Sequence, residues 1–305
     1  MLSSSETFWL QWQAEHAAAA EARQARALLA LEAGAEPAQV AAELRLTPAA
    51  IERLVLRFEA QRLTLFPRPG LYVEELLTAA HVDLAHAHQV AEHALRLFDE
   101  TQAVHKLPAK LRALLETAAL LHNLGLEVDA PKHHTVGRDL LQGVKLVGHT
   151  AAEQTMLACA VRFHRKTVRA HKEPLFMALG ERQRAQTLAL SALLRIADGL
   201  DYSQSQTTRV EAVRVEADTY TLTLSGPYAE GDGARAVEKA DLWAEVLGGT
   251  WVVAPPIRTI TAVAQTALTA STPLATVAVR ARAEQLPRWE AATAEACAGA
   301  PPAIK

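Results

Sequence analysis

Apolar residues recur at three- and four-residue intervals along most of this chain and switch to strict alternation in one short stretch. Val90, Ala94, Leu95, Leu97 and Phe98 make one helical stripe. Leu111, Leu114, Leu115, Ala118 and Leu121 make a second, and Leu188, Leu190, Leu193, Leu194 and Ile196 a third. Ahead of these, the alanine-rich run from Glu6 to Ala33 reads as one helix with Gly34 as its stop. Two shorter helices follow, Pro37–Leu44 and Pro48–Ala60, with a break at Arg45–Thr47; Thr47 is placed to cap the second and Pro48 suits its first turn. Phe66–Gly70 is a turn-rich linker, and from Tyr72 to about Gln204 the pattern is helix after helix. Val210–Glu216 and Tyr220–Ser225 alternate around Ala217-Asp218-Thr219, which predicts a hairpin. A helix over Ala234–Leu247 and a strand over Thr250–Val253 complete a small α/β appendage. Beyond it, Thr259–Thr269 fits strand or helix, and Ala278–Cys297 predicts an amphipathic helix. The expected architecture is mainly α: a helical region over 1–70, a helical domain over 71–205, the appendage over 206–256 and a C-terminal segment over 257–305.

Composition agrees with helices. Hydrophobic residues make up 50% of the chain and aromatics only 5%, with alanine and leucine prominent. A formal charge of −3 supplies no basic field and argues against a general nucleic-acid binder. The 37–60 unit resembles a helix-turn-helix. Its second helix carries Arg53, Arg57 and, just beyond, Arg62, but also Glu52 and Glu59, so a packed hairpin is the favoured reading over DNA contact or protein docking. Cys159 and Cys297 stand in unlike contexts, which points away from a disulfide framework and toward a reducing compartment. The N-terminus lacks the basic flank and apolar run of a signal peptide, and no stretch has the apolar length of a membrane span. A cytoplasmic location is therefore expected, and the exposed helical hairpins suit a homodimer.

The histidines change the picture. Twelve are present, and several sit where packing does not call for them: His86, His122 beside Asn123, His133 and His134, and His164 followed by Arg165 and Lys166. A metal site on helices needs imidazoles and a carboxylate from separate helices converging on one point. His122 and Asn123 follow an apolar run and precede Gly125, so they close a buried helix. Asp198 lies on another buried helix, where a carboxylate is costly unless paired. Arg195, three residues earlier, is its candidate structural partner. Any one of these histidines alone fits a structural role; the four segments with Asp198 fit a joint site.

The order and spacing carry a resemblance. Asp83-Leu-Ala-His86, Ala118-Ala-Leu-Leu-His122-Asn123-Leu-Gly125, His133-His134-Thr-Val-Gly137, Arg162-Phe-His164-Arg165-Lys166, Leu193-Leu-Arg195-Ile-Ala-Asp198-Gly-Leu-Asp201 and Ala240-Asp241-Leu-Trp243 together resemble the HD domain of the exopolyphosphatase/guanosine pentaphosphatase family. The resemblance implies an HD-type all-helical domain and a divalent metal ion (Mn, Mg, Zn, Ni or Fe). It makes His86 the first ligand, His122-Asn123 the signature pair and Asp198 the last ligand and a catalytic carboxylate. His133, His134 and His164 stand where related enzymes place second-metal or phosphate-facing histidines, with His133 and His164 the candidate proton carriers. Lys132, Arg165 and Lys166 are the candidate phosphate-binding cations. Residues Thr272–Leu286 look like the opening helix of a CHAD domain, a polyphosphate-binding module.

Two departures qualify what is implied. Asn123 stands where the signature has an aspartate, which removes a negative charge from the site. Residues 1–80 contain only Gly34 and Gly70 and so lack the glycine-rich phosphate loops of the family's actin-like catalytic half. Two functions remain open: a metal-dependent phosphohydrolase acting on a phosphoester or phosphoanhydride of a nucleotide or polyphosphate, or a regulatory module that binds such a compound without cleaving it.

Overall fold

A computed structural model describes residues 1–255, and over these the chain is mainly α. The N-terminal region comprises α1 (Ser4–His16), α2 (Ala19–Glu32), α3 (Pro37–Glu43) and α4 (Pro48–Gln61). Ser3 and Glu6 cap α1 reciprocally: the Ser3 hydroxyl accepts from the Glu6 amide, and the Glu6 carboxylate accepts from the Ser3 amide at 2.8 Å. The single helix expected over Glu6–Ala33 is in fact two, broken where Ala17 is extended. Packing decides this over alanine's propensity. Leu10 and Ala14 of α1 share an apolar cluster with Ala25 and Leu28 of α2, which a straight helix would hold apart. Arg26 then donates to the free Ala14 carbonyl at 2.7 Å. The helix pair α3–α4 forms as expected, with Thr47 accepting from the Ala50 amide, and it buries Ile51, Leu54 and Phe58 in the same cluster.

Helix α1 belongs to two cores. While Leu10 faces α2, its neighbour Trp9 enters the larger core, donates to the Leu140 carbonyl at 3.1 Å and lies flat against Gly143, where a side chain would overlap the indole. That larger core is built by α5 (Val73–Ala79), α6 (Leu84–Glu100), α7 (Gln102–His105), α8 (Leu111–Leu121), α9 (His133–Gly143), α10 (Ala151–Phe163), α11 (Pro174–Met177) and α12 (Glu181–Gly199). The apolar stripes read from the sequence supply it: Val90, Ala94 and Leu97 meet Leu115 and Ala118, and Leu193, Leu194 and Ile196 are fully buried. Short strands β1 (Gly70–Leu71) and β2 (Lys145–Leu146) pair in parallel beside them.

The appendage begins with β3 (Arg209–Glu216) and β4 (Thr219–Ser225), an antiparallel hairpin turning at Ala217, whose φ is 49°. The helix expected over Ala234–Leu247 is two, α13 (Ala229–Glu238) and α14 (Asp241–Val246), before β5 (Thr250–Val253) returns parallel to β4. Tyr220, Trp243 and Trp251 pack on one another with ring centroids 5.1–5.2 Å apart. Gly199, at the end of α12, admits the backbone of Ala236 in α13 so closely that a Cβ would lie 2.5 Å from its Cα. The readings over 257–305, including the CHAD-like helix, lie outside the described residues. No helix among the described residues is long and apolar enough to cross a membrane.

One close approach sets the path of the chain between two of the histidine segments. After α8 the chain turns over Gly125 and re-enters as α9; a Cβ at Gly125 would lie 2.5 Å from the His133 carbonyl and 2.7 Å from the Gly137 amide. Gly125→Ala is therefore expected to cost about 1–3 kcal/mol of stability. Denaturant unfolding measures this, and an unchanged midpoint would show that the two segments are not packed this tightly.

Candidate active site

Five elements deliver the site. His86 lies in the first turn of α6, whose start Asp83 caps by accepting from the amides of Ala85 and His86. His122 ends α8, His133 opens α9, His164 ends α10, and Asp198 lies one residue before the end of α12. The structure brings His86, His122 and Asp198 together: one ligand atom from each lies within 4.8 Å of the others, with Asp198 Oδ1 at 3.7 Å from His86 Nε2 and 3.6 Å from His122 Nε2. The four imidazoles form a row. Ring centroids are 5.1 Å apart from His86 to His122, 5.3 Å on to His164, and 5.1 Å on to His133.

Their hydrogen bonds set the tautomers. His86 Nδ1 donates to Asp201 at 2.8 Å, His122 Nδ1 to the Ala119 carbonyl at 2.6 Å and His164 Nδ1 to the Val161 carbonyl at 2.6 Å, and His133 Nδ1 lies 2.8 Å from the Ala130 carbonyl. Carbonyls and carboxylates only accept, so Nδ1 of His86, His122 and His164 carries the hydrogen and their Nε2 atoms present lone pairs, while His133 Nδ1 lies between the Ala130 carbonyl and the Arg165 guanidinium, which donates at 2.9 Å. His133 Nε2 lies 3.1 Å from His164 Nε2, and the His86 and His122 lone pairs face one another at 3.2 Å. Two acceptors that close need a proton or a cation between them.

Burial separates the four. It pushes His164 well below the ordinary imidazole range, and it lowers His133 too, assisted by the Arg165 guanidinium against the ring. Burial would also lower His86, but Asp201 and Asp198 more than offset it, and its net shift is upward. Asp198 is likewise opposed by burial, yet Lys239 and His122 hold it well below the usual carboxylate range.

A cavity of about 480 Å³ opens beside the row. His86, Asn123, His133, His164, Asp198 and Asp201 line it, together with the cations Arg165, Lys166, Arg195, Arg235 and Lys239. Arg165 and Lys166 form no ion pair among the described residues, so their charge is open to an anion. Lys166 (φ 61°) and Gln204 (φ 52°), both lining the cavity, hold left-handed backbone conformations that non-glycine residues seldom adopt.

Three expectations meet a different arrangement. Lys132 is exposed and does not line the cavity, because the turn before α9 directs it to solvent. His134 is buried behind His133 with its Nδ1 unpartnered; burial, then Arg162 and Arg165, lower it to about 4. Arg195 does not pair with Asp198. It grips Asp241 at 2.6 and 2.8 Å and donates to the carbonyls of Phe163 and Lys166, pinning the turn that carries His164, Arg165 and Lys166. The cation on Asp198 is Lys239.

Residues 71–245 match the Ppx/GppA phosphatase, domain III family, over half of the chain. The chain belongs to that family. A guanosine-5'-triphosphate,3'-diphosphate pyrophosphatase of Aeromonas hydrophila is 30% identical over 159 residues, 50% of this chain and 30% of that protein. The proteins of the same name in Vibrio vulnificus and Aeromonas salmonicida are 28% identical over 159 residues and 26% over 167, covering 31% and 33% of their lengths. The chain thus spans about a third of the length of the curated relatives it matches.

Within this domain III, two residues join the site that were not singled out from the sequence. Asp201 is fully buried and orients His86; its signal was the Asp-Gly-Leu-Asp spacing, which places a second carboxylate one turn beyond Asp198. Lys239 had no comparable signal, because its position depends on the break between α13 and α14.

Asp201→Asn is expected to bring the His86 titration down, followed by imidazole NMR; an unmoved midpoint would mean that Asp201 does not govern the ring. A second pH effect comes from His93, buried outside the row and accepting from Gln89 at 2.9 Å, with burial lowering it to about 4. The unfolded chain binds that proton near pH 6.5 and the native state only near 4, so stability falls as pH drops through this window, by about 3 kcal/mol in total. His93→Gln is expected to flatten that part of the stability–pH curve, and an unaltered slope would contradict the assignment.

Proposed function

We propose that the helices of 71–205, closed by the appendage over 206–256, carry an HD-type site for metal-dependent hydrolysis of a phosphoester or phosphoanhydride in a nucleotide or polyphosphate. The observation that carries this is the convergence of the His86 and His122 lone pairs on Asp198 Oδ1. Two imidazoles and a carboxylate, with the remaining side open to a cavity, are the donor set of a catalytic divalent cation. The outward Nδ1–H bonds fit it as well, since a ligating imidazole is held by its other nitrogen. When bound there, such an ion supplies Lewis acidity at a phosphoryl oxygen and lowers the pKa of the attacking water.

The protein's own groups do the rest. Arg165 and Lys166 bind and orient the phosphate, Arg195 fixes the turn they stand on, and neutral His133 and His164 offer Nε2 as proton acceptors beside the cavity. Nucleoside polyphosphate hydrolysis in the names of the relatives supports the substrate class. A second reading, anion binding without chemistry, is favoured by Asn123 in place of an aspartate and by Lys239 on Asp198.

Purified protein loaded with Mn²⁺ is expected to bind near one equivalent and to release phosphate or a nucleotide from nucleoside polyphosphates or inorganic polyphosphate. His122→Ala is expected to lose both. Retained ion binding in His122→Ala, or no cleavage across such a panel, would end the hydrolytic reading. Asn123→Asp adds one ligand charge and is expected to tighten Mn²⁺ binding by roughly ten-fold; equal affinity would show that Asn123 does not touch the ion.

A further inference from the structure

Among the described residues, Lys239 is the one ammonium in contact with a proposed ligand, Asp198. Its Nζ contacts Asp198 Oδ2 while Asp198 Oδ1 points at the two Nε2 atoms, and both side chains are largely buried, 12% and 15% exposed. Placement is set by the backbone: α13 stops at Glu238, Lys239 caps it, and α14 restarts at Asp241, which Arg195 clamps. The lysine therefore reaches Asp198 from a fixed point. It also lines the same cavity as Arg165 and Lys166, which form no ion pair among the described residues.

A carboxylate has one charge to share. An ammonium on one oxygen withdraws density from the other and repels a divalent cation a few ångströms away. An incoming phosphate reverses this, because it offers Lys239 a second anionic partner inside the cavity. From this we infer that Lys239 couples the two ligands of the site: it competes with the metal for Asp198 until a phosphate draws it off, so that metal and phosphate bind cooperatively. The coupling is reciprocal, each ligand raising affinity for the other by the same factor. It rests on the metal reading above and adds to it a rule of loading, in which the ion enters firmly only when substrate is present.

The test is a Mn²⁺ titration of the full chain followed by electron paramagnetic resonance, with and without inorganic phosphate. Phosphate is expected to tighten Mn²⁺ binding about five-fold or more in the unaltered protein. Lys239→Gln keeps a donor to Asp198 but removes the charge. It is expected to bind Mn²⁺ roughly ten-fold more tightly without phosphate and to lose most of the coupling. Lys239→Met repeats the test without the donor, and thermal unfolding checks that both variants fold. In the unaltered protein, reductive methylation of Lys239, read by mass spectrometry, is expected to speed up when Mn²⁺ is added, as the ammonium gives up its carboxylate. Tight metal binding with unchanged affinity and coupling in both variants, or an unchanged methylation rate, overturns this inference and leaves the metal reading standing. No Mn²⁺ uptake by the unaltered protein with or without phosphate overturns both.

Discussion

The site depends on where four imidazole rings point. Each Nδ1 faces outward, three toward a carbonyl three residues back in the chain and one toward Asp201, so every Nε2 is turned inward. The local tie is cheap in sequence terms. A histidine at or near a helix end can reach back to a carbonyl of its own turn, which satisfies a buried donor and fixes the ring in one contact. His86 is the exception: its Nδ1 reaches a carboxylate distant in the chain, Asp201, at 2.8 Å. Asp201, from the far end of α12, does that work, and its cost in burial is met by the His86 ring and the Gln206 amide. Imidazoles in a row would otherwise be free to flip; here the outward contacts hold each ring in one orientation.

What the sequence made legible depends on how local each signal is. Thr47, Pro48 and the apolar stripes act within a turn or two, and the elements they predict are present with their expected faces buried. His86, His122 and Asp198 lie 36 and 76 residues apart along the chain; apolar runs put His122 and Asp198 on separate buried helices, and the resemblance added His86, which the fold brings to them. Two breaks were not legible. The alanine-rich run over Glu6–Ala33 contains no helix breaker, and only the mutual burial of Leu10 and Leu28 folds it in half. The same holds for Ala234–Leu247, where Gly199 beneath Ala236 and the clamp of Arg195 on Asp241 fix two segments that propensity alone would join.

That second break has chemical weight. With the break hidden, Arg195, one turn away and the nearest basic residue in sequence, reads as the partner of Asp198. In the folded chain Arg195 is drawn off by Asp241 and the turn carbonyls, and Lys239 takes its place from 41 residues downstream. Lys132 and Arg165 make the same point in opposite directions: both neighbour a site histidine, yet only Arg165 sits on a turn pinned toward the cavity.

Trp9 and Leu10 bear on how the N-terminal helices behave. Consecutive residues of α1 are committed to different cores, and the Trp9 indole is fastened to α9, the helix that His133 opens. A segment joined in this way has no hinge at its base. The α1–α4 region is therefore a fixed buttress and not a tethered arm, and a load placed on α3 or α4 would be felt through α1 at the backbone of the histidine row itself.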